Sequence, residues 1–300
     1  MRLSDYCLID GINVIKDGQF DVLTKIGDTS VNSLVFVEDE CPLDIVSISR
    51  DRISCIITTE RQLKHFEEWD IGIAVHDNPR LCFIRINDLQ SRDVLFSNAS
   101  QISDSSCISP NAYVSNTGVI IGDNVVIEEN VKIHSGVIIG NDTVIRFGSV
   151  IGSEEFERCF DNEGSFIQAK HNGVLQIGSN VNIEEYVIID RPLFNWDKTI
   201  VGDGSYLGKK SFIGHGCKLG DKCIIAPAAF LCGNSVLGKR CKIGVGAIVS
   251  NRLRLGDDVC VSIGSVVNRN VDSKTRVTGY LAVEHSKYIN FFKETMMPYL

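Results

Sequence analysis

The hydrophobic positions in the second half of the chain recur every six residues. From Val201 the sequence divides without a gap into VGDGSY, LGKKSF, IGHGCK, LGDKCI, IAPAAF, LCGNSV, LGKRCK, IGVGAI, VSNRLR, LGDDVC, VSIGSV and VNRNVD. Each hexad begins with Val, Leu or Ile, and a second run of the same type occupies residues 121–150. A strand alternates with period two and an α-helix with period 3.6, so neither explains the spacing. The period indicates a solenoid.

The hexads also predict what each position does. Each one forms a short strand and a corner, and three of them close one triangular coil. The leading aliphatic side chain points into the prism, and the fifth position takes a modest side chain near the axis. Cys217, Cys223 and Cys241 occupy that fifth position, so we expect them to fill the core. The glycine that often follows the aliphatic residue is expected to supply backbone freedom at the corners.

This pattern resembles the hexapeptide-repeat acyltransferases. The resemblance implies a mainly β fold, a left-handed parallel β-helix. It also implies a homotrimer of prisms packed side by side, with active sites in the clefts between neighbouring subunits. The left-handed sense comes from the resemblance alone, because crossovers between parallel strands are usually right-handed.

Other segments flank or interrupt the repeat. Residues 1–100 hold no hexads, and the short strands LVFVEDE, CIITT and IGIAVHDNP with the helical pattern TTERQLKHFEEW predict a small α/β domain. The β-helix is predicted over residues 101–272, with a long inserted loop at 153–176, a length that is usually functional. Helical spacing predicts a C-terminal helical extension over 273–300.

Longer segments of the sequence resemble particular families of acyltransferases. The stretch IGSEEFERCFDNEGSFIQAKHNGVLQIGSNVNIEEYVIIDR is similar to the UDP-3-O-acylglucosamine N-acyltransferases of lipid A synthesis, and residues 1–100 are similar to that family's nucleotide-recognising domain. The stretch IGHGCKLGDKCIIAPAAFLCG also resembles the bacterial amino-sugar and sialic-acid acetyltransferases. The resemblance implies transfer of an acyl group to the amino group of a nucleotide-linked amino sugar. The donor would be a thioester co-substrate, acyl-CoA or an acyl carrier protein, with no permanently bound cofactor.

His215 is the candidate general base. It stands between two glycines at the third position of its hexad, where spacing alone is equally compatible with a solvated surface histidine at a corner. Both comparisons place His215 in the catalytic position, and a neutral imidazole suits removal of a proton from an amine near pH 7. The N-acyltransferase family implies that the backbone N–H of Gly233, one coil later, stabilises the oxyanion. We expect the His215 corner to face a neighbouring subunit.

Two positions depart from the family pattern. The family usually has an aspartate seven residues before the histidine, and here that residue is Gly208; Arg252 stands roughly where a second histidine is expected. What orients His215 is therefore open, with Asp190 and Asp197 as candidates. The altered acyl region also makes a short acyl group plausible.

Further residues are predicted to bind the two substrates. The candidates for the sugar or nucleotide are His171 and Asn172 on the inserted loop, Asp190 and Asp197, and, for the base, Phe36 and Asn78. His171 is equally compatible with an ordinary exposed loop residue. The candidates for the phosphates of CoA or for an acidic carrier protein are Lys239, Arg240, Lys242, Arg252 and Arg254, which are equally compatible with solvated corners.

Composition excludes several classes of protein. Hydrophobic residues make up 44%, and no run approaches the length of a membrane span. The net charge of −8 disfavours nucleic-acid binding, although residues 201–300 hold 14 basic and 7 acidic residues. Eleven cysteines without a CxxC pair, and no visible signal-peptide pattern, favour reduced thiols in the cytoplasm. No metal site is predicted, because the coils offer only His134 and His215. The alternative function is a non-enzymatic β-helix scaffold or binding subunit.

Overall fold

Three parallel sheets form the faces of a triangular prism in the computed structural model, which describes residues 1–27, 30–90, 94–154, 158–279 and 284–295. Within these ranges the first face has the strands Gln101–Ile102, Val119–Ile121, Val137–Ile139, Val174–Ile177, Lys198–Val201, Lys218–Leu219, Val236–Leu237 and Arg254–Leu255. The second has Cys107–Ile108, Val126–Ile127, Val144–Ile145, Asn182–Ile183, Tyr206–Leu207, Ile224–Ile225, Lys242–Ile243, Cys260–Val261 and Arg276–Val277. The third has Tyr113–Val114, Lys132–Ile133, Val150–Ser153, Ile188–Asp190, Phe212–Ile213, Phe230–Leu231, Ile248–Val249 and Val266–Val267.

The register of these strands confirms the six-residue repeat as a β-helix. Ile200 pairs with Lys218, and Lys218 pairs with Val236, so each coil advances the chain by three hexads. The fold class predicted from the sequence, a mainly β parallel β-helix with a small N-terminal α/β domain and a C-terminal helix, is confirmed.

The core of the prism follows the hexad positions. Leading aliphatic residues such as Ile213 and Leu231 are fully buried. At the fifth position, Cys217, Cys223 and Cys241 are equally buried among them, as predicted. The N-terminal domain uses cysteine in the same way: burial in its apolar core raises the pKa of the Cys82 thiol to about 12, so that this side chain behaves as a small hydrophobic residue.

The role expected for the second-position glycines is wrong. Gly220 does not have a positive φ; a Cβ there would lie 2.8 Å from the backbone carbonyl carbon of Gly238 in the next coil. The left-handed conformation falls on the fourth position instead, as at Lys222 with φ 58° and Arg240 with φ 58°. At Gly220, therefore, glycine is favoured because the adjacent coil lies too close for a side chain and not because the backbone needs a positive φ.

Two insertions lengthen single coils. Val150 pairs with Ile188, well beyond the usual three hexads, and the predicted insertion 153–176 lies between them. That insertion holds a hairpin of strands Arg158–Phe160 and Phe166–Gln168. Ile188 pairs with Phe212, which is four hexads away instead of three, so the segment 191–197 contains a second insertion, one hexad long. An insertion of one hexad keeps the repeat in phase, so the periodicity of the sequence did not reveal it.

The N-terminal domain is a five-stranded sheet with helices. Its strands are β1 (Asn13–Lys16), β2 (Val22–Leu23), β3 (Ser33–Val37), β4 (Ile53–Thr58) and β5 (Gly72–Val75), in the order β1-β5-β4-β3-β2. All neighbours are parallel except β1 and β5. The α-helices are α1 (Leu43–Ile48), α2 (Glu60–Leu63) and α3 (Pro79–Leu89), with 3-10 helices at Leu3–Tyr6, Arg50–Arg52 and Val94–Ser97.

One predicted helix in this domain is shorter than expected. Of TTERQLKHFEEW, only α2 is helical, and turns follow it. The sequence analysis missed α3, which begins with Pro79 in the first turn after the N-cap Asn78. The C-terminal helix α4 (His285–Thr295) lies in the predicted extension, and residues 280–283 and 296–300 lie outside the described ranges. No helix in the described ranges has the length and apolarity that crossing a membrane requires.

The third face differs from the other two on its outer surface. Its outward side chains form an apolar row along the coils: Val150, Ile188, Phe212, Phe230, Ile248 and Val266. The rings of Phe212 and Phe230 stack at 4.2 Å, and the side chain of Phe230 is 41% exposed. The outward positions of the second face mix Asn182, Tyr206, Ile224 and Lys242. Exposed apolar rows of this kind are typical of surfaces that associate with a partner.

Candidate active site

His215 lies at the corner between the third and first faces, just after the strand Phe212–Ile213, and is half-buried. The structure explains why both residues that flank His215 are glycines. A Cβ on Gly214 would lie 2.8 Å from the backbone nitrogen of Gly233, and Gly216 has a φ of 65°. The Gly216 N–H also donates to Thr199 Oγ1 at 2.8 Å, which fixes the peptide that follows the histidine.

Gly233 lies against the imidazole ring, as the one-coil spacing predicted. A Cβ on Gly233 would come within 2.7 Å of His215 Cε1 and 2.9 Å of Nε2. Among the described residues, no acceptor pairs with the Gly233 N–H, whereas Gly214 N–H donates to Leu231 O at 2.9 Å. An open backbone donor beside an imidazole is the arrangement that an oxyanion site requires.

Asn234 contacts His215 twice. Its side-chain Nδ2 lies 3.0 Å from Nε2 of the imidazole, and its backbone N–H donates to the carbonyl of His215 at 2.7 Å. Sequence reasoning missed this residue, although its position next to Gly233 places it on the same corner, one coil above the histidine.

His171 packs behind the candidate base. Its ring is fully buried, and its centroid lies 6.2 Å from that of His215 in an edge-to-face arrangement. Neither an exposed loop residue nor a direct substrate ligand fits that burial, so both interpretations are corrected. The inserted loop turns inward here and makes the wall against which His215 rests.

The second insertion, in the segment 191–197, forms one side of a cavity at His215. The cavity has a volume of about 200 Å³, and Leu193, Phe194 and Trp196 line it together with Lys25 from the N-terminal domain. The rings of Phe194 and Trp196 stack at 5.8 Å, and Trp196 Nε1 donates to Leu23 O at 3.0 Å. This chain supplies two walls of the cavity, one from the inserted hexad and one from the N-terminal domain.

Three cationic side chains surround the His215 cavity. Arg252 and Arg254 lie on the coils above, and Lys25 faces them from the N-terminal domain. Arg252 donates to Ile26 O at 3.2 Å and so bridges the two parts of the chain. The cluster favours an anionic group at the mouth of the cavity.

Lys239 and Arg240, predicted with Arg252 to bind the acyl donor, lie at a different corner, between the first and second faces. Lys239 Nζ is 2.9 Å from Asp221, and Arg240 forms a two-point ion pair with Asp258 at 2.7 and 2.8 Å. These pairs raise the pKa of both basic groups and lower that of both carboxyls. The structure therefore separates Lys239 and Arg240 from His215 and brings Arg252 and Arg254 to the cavity. Lys242 points outward on the second face.

The two carboxylates considered as orienting groups are both buried. Asp197 lines the His215 cavity, but its Oδ1 lies 3.0 Å from Lys218 Nζ and accepts from Lys198 N at 2.8 Å. Asp190 accepts a hydrogen bond from Ser153 Oγ at 2.5 Å and lines an open groove on the third face. Both positions adjoin the corner, and each carboxylate is held by these neighbours.

The N-terminal domain has a larger cavity of about 720 Å³ at the carboxyl ends of its parallel strands β3, β4 and β5. Open parallel sheets bind ligands at this edge. Phe36 and Asn78, the predicted base contacts, both line it. The Arg80 guanidinium lies 5.4 Å from the Phe36 ring and is held by Glu38 at 3.0 Å.

Asn78 has a structural role that its sequence position did not reveal. Its Oδ1 accepts from Leu81 N as the N-cap of α3, and its Nδ2 donates to Phe160 O in the inserted hairpin. Both ends of the amide are thus engaged.

The tip of the inserted loop reaches the N-terminal cavity. Asn162, at the tip of its hairpin, lines the rim of the N-terminal cavity. Farther along the loop, Asn172 is buried and donates to Asn87 O at 2.8 Å, which ties the loop to α3. Asn172, predicted to bind substrate, therefore anchors the loop.

A family model for the bacterial transferase hexapeptide, a motif of six repeats, matches residues 118–153. Residues 118–153 thus carry hexapeptide repeats of this type. Two similar curated proteins are UDP-3-O-acylglucosamine N-acyltransferases. That of Wolinella succinogenes is 27% identical over 150 residues, which are 50% of this chain and 46% of the relative. That of Bordetella pertussis is 31% identical over 153 residues, 50% of this chain and 42% of the relative.

These relatives confirm the resemblance that the repeats and residues 151–191 indicated, and the chain spans less than half the length of either. Among solved structures, the hexapeptide-repeat chain is similar to a UDP-N-acetylglucosamine acyltransferase from Bacteroides fragilis, with 23% identity, a TM-score of 0.44, and 65% of this chain and 78% of that chain covered. A UDP-N-acetylglucosamine O-acyltransferase from Moraxella catarrhalis has 24% identity and a TM-score of 0.41, with 60% of this chain and 70% of that chain covered.

Proposed function

We propose that the protein is an acyltransferase that moves an acyl group from a thioester to the amino group of a nucleotide-linked amino sugar. The observation that carries the proposal is the position of Lys25, which lines both the N-terminal cavity and the His215 cavity. The two cavities are therefore neighbours, and one elongated ligand reaches from the strand ends of the N-terminal domain to the imidazole.

The parts of a nucleotide sugar match the residues along these two cavities. The half-buried Phe36 ring offers a face for a base in the N-terminal cavity, where Arg80 fixes one side of the ring. Lys25, Arg252 and Arg254 offer their charges to the phosphates between the two cavities. The sugar amine then lies in the smaller cavity with His215. We place Asp197 beside the sugar there, because its carboxylate lines the same cavity.

The residues at the corner supply the chemistry of acyl transfer. His215 takes a proton from the amine as its nitrogen attacks the thioester carbonyl carbon, and a C–N bond forms. The carbonyl oxygen becomes an oxyanion, to which Gly233 N–H donates. Collapse of this intermediate breaks the C–S bond, and the thiolate leaves with the proton that His215 had accepted. The products are an amide and a free thiol.

The apolar row on the third face supports the homotrimer that the family resemblance implies. Six apolar side chains in a line along the prism, including the stacked pair Phe212 and Phe230, would otherwise face water. We propose that this row packs against a neighbouring copy. The third face borders the His215 corner, so a neighbour there would complete the site on its open side.

The proposal includes a cytoplasmic location, which suits both the thioester donors and a chain rich in cysteine. The donor is acyl-CoA or an acyl carrier protein. The length of the acyl group is determined by comparing donors of different chain length in the experiment below.

The experiment that tests the proposal measures thiol release. The protein is mixed with acetyl-CoA, longer acyl-CoAs or acyl carrier proteins, and with UDP- and dTDP-linked amino sugars, and the product is identified by mass spectrometry. Thiol release that depends on the amino sugar, with an amide product, supports the proposal. Tight binding of nucleotide sugars with no release for any donor would favour the non-enzymatic binding subunit instead.

A further inference from the structure

The residue that orients His215 is not the aspartate of the family pattern, because Gly208 occupies that position. We propose that Asn234 is the positioning residue for His215. The inference rests on the proposed function, since it assigns a role within the same site. Asn234, one coil after His215, would then orient the imidazole in place of the aspartate that the family has seven residues before the histidine.

Two hydrogen bonds hold the histidine from this side. The backbone N–H of Asn234 donates to the carbonyl of His215 at 2.7 Å, and the side-chain Nδ2 lies 3.0 Å from Nε2. One contact fixes the main chain of the histidine and the other fixes the rotation of its ring. The ring is sandwiched further by Gly233, whose missing side chain leaves room for it, and by the buried ring of His171.

The side-chain contact also selects a tautomer. With the amide nitrogen of Asn234 assigned to this contact, Nε2 accepts the hydrogen bond and the proton of the neutral ring is on Nδ1. Both side chains line the same cavity, so an amine that enters takes the place of the Asn234 amide at Nε2. The amide thus holds the ring of the free enzyme with Nε2 turned into the cavity, and it leaves Nε2 when the amine arrives.

The charges around the ring are consistent with this task. His171 packs on it from the inserted loop, and Asp197, itself paired with Lys218, comes from the coil below. Lys25, Arg252 and Arg254 line the rest of the cavity. A neutral amide at Nε2 positions the ring without adding a negative charge that would hold it as imidazolium.

The backbone of Asn234 gives a clean way to test the proposal. Its φ is 62°, in the left-handed region, so glycine fits there without strain and Asn234→Gly removes only the side chain. Asn180 provides a matched control, because it has a φ of 56° at an exposed corner of another coil. Asn180→Gly reproduces the backbone change away from the imidazole.

We expect Asn234→Gly to lower kcat by about 10- to 100-fold with little change in the KM of the sugar. Asn180→Gly should match the wild type in both constants, and the two variants should have similar Tm values. In Asn234→Asp, a carboxylate faces Nε2 and favours imidazolium, so the acidic limb of the kcat/KM profile should move to higher pH. A positioning residue also predicts that Asn234→Gly has no further effect in a His215→Ala background.

The outcomes separate this inference from the proposed function. If His215→Ala abolishes activity while Asn234→Gly and Asn234→Asp keep the wild-type kcat and pH profile, the positioning role is overturned. An increase in KM at constant kcat for Asn234→Gly would overturn it too, because Asn234 would then bind substrate rather than orient the base. Full activity of His215→Ala would instead remove the proposed function itself.

Discussion

The imidazole of His215 lies directly against the α-carbon of Gly233, one coil above it. A methyl group on Gly233 would come within 2.7 Å of Cε1, and the φ of this glycine lies outside the left-handed region. The obstacle that alanine meets here is thus the end of a side chain and not the backbone. An alanine at position 233 would therefore disturb the imidazole of His215 without disturbing the backbone of the β-helix.

Gly233→Ala is therefore expected to lose activity while the protein remains folded. The added methyl group displaces the imidazole from the position where it meets the amine, and we expect kcat/KM to fall by about 100-fold or more. Steady-state kinetics and thermal unfolding measure the two effects. A variant with wild-type kcat/KM would show that the place of the ring beside Gly233 has no part in the reaction.

The repeat made most of the prism predictable. A hexad begins with an aliphatic residue because that position points into the prism on every face, as the buried Ile213 and Leu231 show. The insertion within 191–197 escaped notice because it adds one whole period. Its one visible signal is Asn195, a polar residue that begins the hexad NWDKTI where an aliphatic one belongs.

The candidate site was predictable only in part. His215 and Gly233 follow from coil spacing and family resemblance. Lys25 and Trp196 do not, because their approach to His215 depends on how the N-terminal domain packs on the prism, as the bond from Trp196 Nε1 to Leu23 O shows. Tertiary packing of this kind leaves no periodic signal in the sequence.

The cations at the His215 cavity should govern the affinity for the nucleotide sugar. Arg252→Gln removes one charge from the proposed phosphate site, so we expect the KM of the nucleotide sugar to rise by about 10-fold, and by less at high salt. Arg240→Gln is the matched control, since Arg240 is paired with Asp258 at another corner. Equal KM changes in the two variants would contradict the phosphate site.

The apolar row on the third face should control assembly. Phe230→Asp places a charge in the middle of this row, and desolvating that charge opposes association, so we expect monomers. Ile224→Asp is the control, because Ile224 is 42% exposed on the second face and Phe230 is 41% exposed on the third. Light scattering after size-exclusion chromatography measures the mass. A Phe230→Asp protein with the same oligomeric mass as the wild type would rule out the third face as the interface.

His134 should make stability fall in mild acid. Burial, and then the Arg191 guanidinium, hold its pKa below the ordinary value of 6.5. The unfolded chain therefore takes up the proton first as the pH falls past 6.5, and this histidine then favours unfolding. We expect Tm to fall less in His134→Gln than in the wild type between about pH 7.5 and about pH 5.5. An equal fall in both proteins would show that His134 has no share in the acid sensitivity.

The activity of His215→Ala tests the central claim most directly. Thiol release is measured with the best donor and amino sugar for the wild type, and circular dichroism and mass in solution verify that the variant keeps its fold and assembly. The account predicts a fall in kcat of about 100- to 10,000-fold, the usual contribution of a general base. A folded variant of unchanged mass that releases thiol at the wild-type rate would contradict it.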